Sequence, residues 1–127
     1  MNTAVRYYSR GGNTKAIAEA IAEGAGCSAE SIPTALGGEV DVLYLGAAVY
    51  AGRISGRMKK FIASLDPGKV GKVVLFSTSM TSRRAFSQME KGLRARGVPV
   101  EGETFYSKSK EVDENLEAAR EFGSRFA

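Results

Sequence analysis

The sequence has no histidine and no tryptophan, and only one cysteine and three prolines among its 127 residues. Without histidine, a Ser-His-Asp triad, a Cys-His pair and histidine-ligated zinc are excluded within one chain. The lone Cys27 forms no intramolecular disulfide, in keeping with a reducing cytoplasm, and a structural role is expected for it. No apolar run approaches the roughly 20 residues that a membrane-spanning helix needs, so no membrane insertion is expected. The opening Met1-Asn2-Thr3-Ala4-Val5-Arg6 has no basic stretch leading into an apolar one. No secretory leader is therefore expected, and the expected location is cytoplasmic. Chemistry must rest on Ser, Thr, Tyr, Arg and carboxylates or on a borrowed cofactor, and a cofactor is the economical source.

What is present fits one soluble α/β domain over residues 1–127: 43% of residues are hydrophobic and 25% charged. The net charge is +4. The cations are spread along the chain, not gathered into a stripe with aromatics between them, so no nucleic-acid partner is expected.

Short β-rich runs alternate with runs of helical period. Residues 3–8 read as a strand ending in a glycine-rich turn. A helix over 13–23 follows, with Ile17, Ala18, Ile21 and Ala22 at helical spacing and Gly24 and Gly26 to stop it. Glu30-Ser31-Ile32 reads as a short edge strand, after which Pro33 and Gly37-Gly38 leave room for at most a turn of helix. Residues 40–45 form a nearly continuous apolar strand, as a parallel strand covered on both faces should. A helix over 55–65 presents Met58, Phe61, Ile62 and Leu65 on one face. A strand over 72–77, a helix over 83–96 and a strand over 98–105 interrupted by Gly102 come next. A final helix capped by Asp113 closes the pattern. This alternation implies a three-layer open sandwich, a parallel sheet with helices on both faces. Arg6 falls inside the central strand, where a lone charge is expensive. It needs a carboxylate such as Asp41 on the neighbouring strand, or a reach to the end of the sheet.

Ligands of such sheets sit beyond the carboxyl ends of the strands. There, Ser9-Arg10-Gly11-Gly12-Asn13-Thr14 joins the first strand to a helix N-terminus. Unpaired N–H groups and the helix dipole favour an anion there. Glycines permit close approach, and Ser9, Asn13 and Thr14 add donors. The same residue types also suit a plain turn with Asn or Thr capping the helix. The loop is neither a Walker A sequence nor G-x-G-x-x-G, which leaves a monophosphate as the best ligand.

The run Tyr8-Ser9-Arg10-Gly11-Gly12-Asn13-Thr14-Lys15-Ala16-Ile17-Ala18 resembles the flavodoxin signature. The resemblance implies strand order 2-1-3-4-5, here with a reduced second helix, and FMN as cofactor. It assigns phosphate contacts to Ser9, Gly12, Asn13 and Thr14. Gly11 stands where family members often carry a hydroxyl, and Arg10 offers a charge-assisted contact in return. Gly46-Ala47-Ala48-Val49-Tyr50-Ala51-Gly52 is similar to the family's G-x-P-x-Y-x-G loop, with Ala48 in place of proline. By that likeness Ala48, Val49, Tyr50, Ala51 and Gly52 flank the flavin ring, Tyr50 at its face. Ser77, Thr78, Ser79 and Met80 stand at the family's second ring loop.

The stretch around Tyr50 also resembles the branch containing menaquinone-dependent protoporphyrinogen oxidases, but residues 97–106 leave no room for the long insertion of those enzymes. The role implied is an electron carrier with a redox partner protein or small-molecule donor or acceptor. An FMN oxidoreductase acting on NAD(P)H, quinone or porphyrinogen, and a flavin-free binding module, are the alternatives. Arg10, Arg53, Arg57, Arg83 and Arg84 are expected to border the ligand end. They would favour an anionic reduced flavin, a raised reduction potential and an acidic partner.

Overall fold

The computed structural model describes residues 2–127; Met1, the first residue of the stretch read for a leader, lies outside the described residues. The elements are β1 (Thr3–Tyr8), α1 (Asn13–Ala25), β2 (Ala29–Ser31), β3 (Val40–Ala48), α2 (Gly56–Ser64), β4 (Val70–Ser79), α3 (Arg84–Ala95), β5 (Val100–Lys108) and α4 (Val112–Phe126). All strand pairs are parallel, in the order β2-β1-β3-β4-β5. The expected α/β architecture and strand order are both present. Among the described residues no helix is long and apolar enough to cross a membrane.

Successive strand residues point to opposite faces, so each apolar strand feeds two cores. Val5, Tyr44, Val74 and Phe76 pack beneath α1 and α4, while Leu43, Leu45, Val73 and Leu75 pack beneath α2 and α3. On the first face, α1 and α4 meet backbone to backbone. A Cβ placed on Gly24 would lie 1.8 Å from the Arg120 carbonyl oxygen, and one on Gly123 would lie 2.0 Å from that of Ile21. Gly24 therefore does not stop α1. It lies inside the helix, and Gly26 (φ 77°) ends it, its N–H donating to Ala22 and Glu23.

The buried Tyr44 hydroxyl donates to the Gly123 carbonyl at 2.6 Å, tying β3 to α4. Burial pushes the Tyr44 phenol up to about 12. The unfolded chain releases this proton near pH 10 and the folded chain near 12, so the native state holds more protons in between. Stability should fall as pH rises across that window. Urea unfolding of the wild type should show this slope, and Tyr44→Phe should remove its share of it.

The connection between β2 and β3, expected to hold at most a turn of helix, holds none among the described residues. Gly37 (φ 78°) and Gly38 (φ 150°) lie on it in conformations that L side chains rarely adopt. Arg6 does not pair with Asp41, which accepts from the Asn2 N–H instead. The Arg6 side chain, 4% exposed, donates to the carbonyls of Val5 (3.0 Å), Thr34 (3.0 Å) and Ala35 (2.6 Å) and lies 3.6 Å from Glu30. The buried charge is thus satisfied mainly by backbone oxygens of the helix-free connection. Asp113 does not cap α4; Glu111 occupies the cap position without a side-chain bond, and Asp113 adds negative charge in the first turn. Gly102 lies in an irregularity where Val73 and Leu75 pair with Val100 and Thr104, so β5 holds two extra residues.

Candidate functional site

β1, β3 and β4 end side by side, and the loops that follow converge at one edge. β1 leads into a turn in which the Gly12 N–H donates to Ser9 Oγ at 3.0 Å. Gly12 (φ 93°) is the N-cap of α1 and no side chain caps it, so neither Asn13 nor Thr14 serves as the cap. The first helical bond runs from the Ala16 N–H to the Gly12 carbonyl at 3.0 Å. The N–H groups of residues 13–15 precede this ladder, at the positive end of a 13-residue helix. Gly11, Gly12 and Asn13 are exposed, and a Cβ on either glycine would meet nothing within 4 Å. The backbone thus presents an open, donor-rich cradle.

Arg10 turns away from that cradle. Its N–H donates to the Tyr50 hydroxyl at 3.1 Å, its Nε to the Tyr8 hydroxyl at 3.4 Å, and its guanidinium lies 4.0 Å from the Tyr50 ring centre. The Arg10 hydrogen bond holds the Tyr8 phenol below its ordinary value. Tyr8 and Tyr50 meet edge to face at 6.2 Å.

The second loop begins later than its sequence suggests, because β3 continues through Ala48, which pairs with Thr78. Beyond Val49, Tyr50 and Arg53 close a tight turn with Tyr50 N–H to Arg53 carbonyl at 2.7 Å and the reverse bond at 3.1 Å. Both central residues have positive φ, Ala51 at 52° and Gly52 at 80°. Gln88 of α3 holds this turn with both ends of its amide, accepting from the Ile54 N–H and donating to the Gly52 carbonyl, each at 2.9 Å. Ala51→Gly should relieve the left-handed alanine and stabilise the protein by about 0.5–1 kcal/mol, read as a raised urea midpoint at unchanged slope.

At the third position the residues are strand, not loop: β4 runs through Ser79. Their hydroxyls make hydrogen bonds inside the protein. Ser77 Oγ donates to the Ala47 carbonyl at 2.7 Å, and Thr78 Oγ1 pairs with Thr14 Oγ1 at 2.7 Å. Ser79 Oγ bonds the Ser82 carbonyl and the Tyr106 hydroxyl. Met80 is 65% exposed at the tip. Sequence reasoning missed Gln88 and also Tyr106, which carries the Arg83 guanidinium 4.3 Å from its ring centre. The one available signal for Gln88 was its place one turn beyond the buried Ala85.

Among the described residues, none of Arg10, Arg53, Arg57, Arg83 and Arg84 is in an ion pair with a carboxylate. Cys27 lies away from this edge, and burial pushes its thiol up, against a reactive role.

No curated protein sequence matches the chain. Among solved structures, a flavodoxin from the domain Archaea superposes with a TM-score of 0.82 at 25% identity, covering 100% of this chain and 96% of that one. A WrbA-like flavodoxin from Agrobacterium tumefaciens gives 0.81 at 26% identity, with coverages of 98% and 94%. Flavodoxin 2 of Bacillus cereus gives 0.76 at 21% identity, covering 99% and 97%, a likeness of fold. The Flavodoxin domain family matches residues 4–112. With its strand order and the turn at the head of α1, the chain belongs to the flavodoxin domain family.

Proposed function

We propose that the chain is a cytoplasmic electron carrier that binds FMN at the convergent loops. The observation that carries this is the open cradle at the head of α1, where N–H donors of residues 13–15 stand clear below Gly11 and Gly12. One phosphate monoester dianion suits such a cradle. Ser9, Gly12 and Asn13 would hold it. Thr14, through its bond to Thr78, would fix the helix head against β4. Ala48 at the end of β3, Val49, and Tyr50, Ala51 and Gly52 of the turn clamped by Gln88 would flank the ring, with Met80 at the opposite rim. Arg10 now covers the Tyr50 face, so a ring using that face takes its place. The flavin, when bound, supplies one- and two-electron chemistry, and the protein tunes it through the charges it sets nearby.

The unpaired arginines favour negative charge at this edge, both on the reduced cofactor and on a docking partner. Arg83→Glu/Arg84→Glu should therefore lower the two-electron midpoint potential by tens of millivolts, roughly the effect of exposed charges. Potentiometric titration measures this directly.

The identifying test is titration of the flavin-free protein with FMN and with riboflavin, followed by absorbance and quenching of flavin fluorescence. FMN should saturate one site, and riboflavin, which lacks the phosphate, should bind at least tenfold more weakly. Equal binding would remove the phosphate cradle from the reading. Rapid steady-state NAD(P)H:quinone turnover by the loaded protein would make it an enzyme and not a carrier.

A further inference from the structure

Where a helix would cover the sheet between β2 and β3, the chain leaves a cleft of about 620 Å³ between the 32–38 connection and α2. It extends beside α2 from Arg57, on the helix's first turn, to Lys69 before β4. Its volume is that of a small-molecule site, well beyond a packing defect. The walls are apolar: Ile32, Phe61 and Leu65 are each less than 10% exposed, and Leu36 closes the connection side. The mouth is cationic. Arg57, Lys60 and Lys69 stand on it, all exposed, and among the described residues none is in an ion pair. Asp66 is the one carboxylate beside them, and it accepts from the Gly68 N–H at 2.9 Å.

An apolar trough with an unpaired basic rim selects one chemistry. We propose that this cleft binds a small amphiphilic anion, its apolar body against Phe61 and Leu36 and its charged head at the Lys60–Lys69 rim. A neutral hydrocarbon would leave the rim without a counter-charge, and a cation would be repelled by it. A docked helix from another protein suits the site less, because its walls are recessed and already buried in the free chain. Arg57, its guanidinium 5.9 Å from the Tyr8 ring centre, is the one lining residue that also borders the flavin edge. The Lys60–Lys69 rim lies beyond it, and the inference stands whether or not the chain binds FMN.

Decanoate, 1-decanol and decyltrimethylammonium, each below its aggregation limit, provide the test. Isothermal titration should show one saturable decanoate site per chain, with the alcohol and the cation at least roughly tenfold weaker. Amide chemical-shift changes should fall on residues 32–38 and 57–70. Lys60→Glu/Lys69→Glu should weaken decanoate about tenfold or more while leaving the melting temperature and the FMN titration in place. Leu36→Trp, which fills the cleft, should abolish binding. The proposal is overturned by equal binding of acid and alcohol, by decanoate affinity unchanged in the glutamate variant, or by shift changes at the 9–14 loop. It is equally overturned if decanoate fails to saturate, or if a dimer of the chain closes the cleft against it.

Discussion

Gly123→Ala is expected to lower the unfolding free energy by about 3 kcal/mol, and Gly24→Ala by a similar amount. At an unconstrained helix position the same change stabilises by up to about 1 kcal/mol, since alanine is the better helix former. The opposite sign is therefore diagnostic. The new methyl of Gly123→Ala would lie 2.0 Å from the Ile21 carbonyl oxygen, and that of Gly24→Ala 1.8 Å from the Arg120 oxygen. Both obstacles are backbone and cannot rotate aside, so α1 and α4 must separate. Separation also stretches the Tyr44–Gly123 hydrogen bond and opens the core beneath both helices. Gly92→Ala is the control: its methyl would lie 3.2 Å from Ile62 Cγ2, a side-chain methyl that has to give by only a few tenths of an ångström, so the cost should be well below that of the two backbone clashes. Once one substitution has parted the helices the second has less left to disturb, so the double variant should lose less than the sum. Urea midpoints at constant slope decide all four.

Asn13→Asp separates binding from folding. Asn13 is exposed at the first helical position, where a carboxylate complements the dipole. The flavin-free protein should gain a few tenths of a kcal/mol. The same carboxylate faces the proposed phosphate, so FMN affinity should drop roughly 100-fold while riboflavin, without a phosphate, is little affected. Loss of both flavins together would point to a damaged fold. Unchanged FMN affinity would place the phosphate elsewhere. Thermal unfolding and paired flavin titrations read the two effects independently.

Much of this fold was legible because parallel strands buried on both faces are almost wholly apolar, as 40–45 and 72–77 are, and the helices keep their inward residues in step. Strand ends were less legible. Gly46, Ala47 and Ala48, like Ser77, Thr78 and Ser79, carry no apolar signal, yet their backbones pair across β3, β4 and β5. Residues that look like a ligand loop are therefore partly sheet, and their hydroxyls serve it. Gly46 has a reason invisible in one dimension: the Phe76 ring would lie 2.0 Å from a Cβ there. The first loop was readable because glycine spacing and the helix start are local properties. Gln88 was not, because its role depends on α3 lying over a turn 36 residues away in the chain.

Arg6 gives the molecule an uneven resistance to opening. Residues 32–38 have two backbone hydrogen bonds outside helices and strands, Ile32 N–H to Tyr7 and Thr34 N–H to Ser31; beyond these they are held by the Arg6 guanidinium and by the packing of Ile32 and Leu36 on the core. Stretches with so few protected amides exchange with solvent through small local excursions, long before the sheet yields. One wall of the amphiphile cleft is thus a flap held by side chains, Arg6 through hydrogen bonds and Ile32 and Leu36 through packing, more than by its own backbone. Its amides should exchange rapidly while those of β3, a few residues later, exchange only with global unfolding, and loss of the Arg6 side chain should quicken the flap alone before it costs the fold.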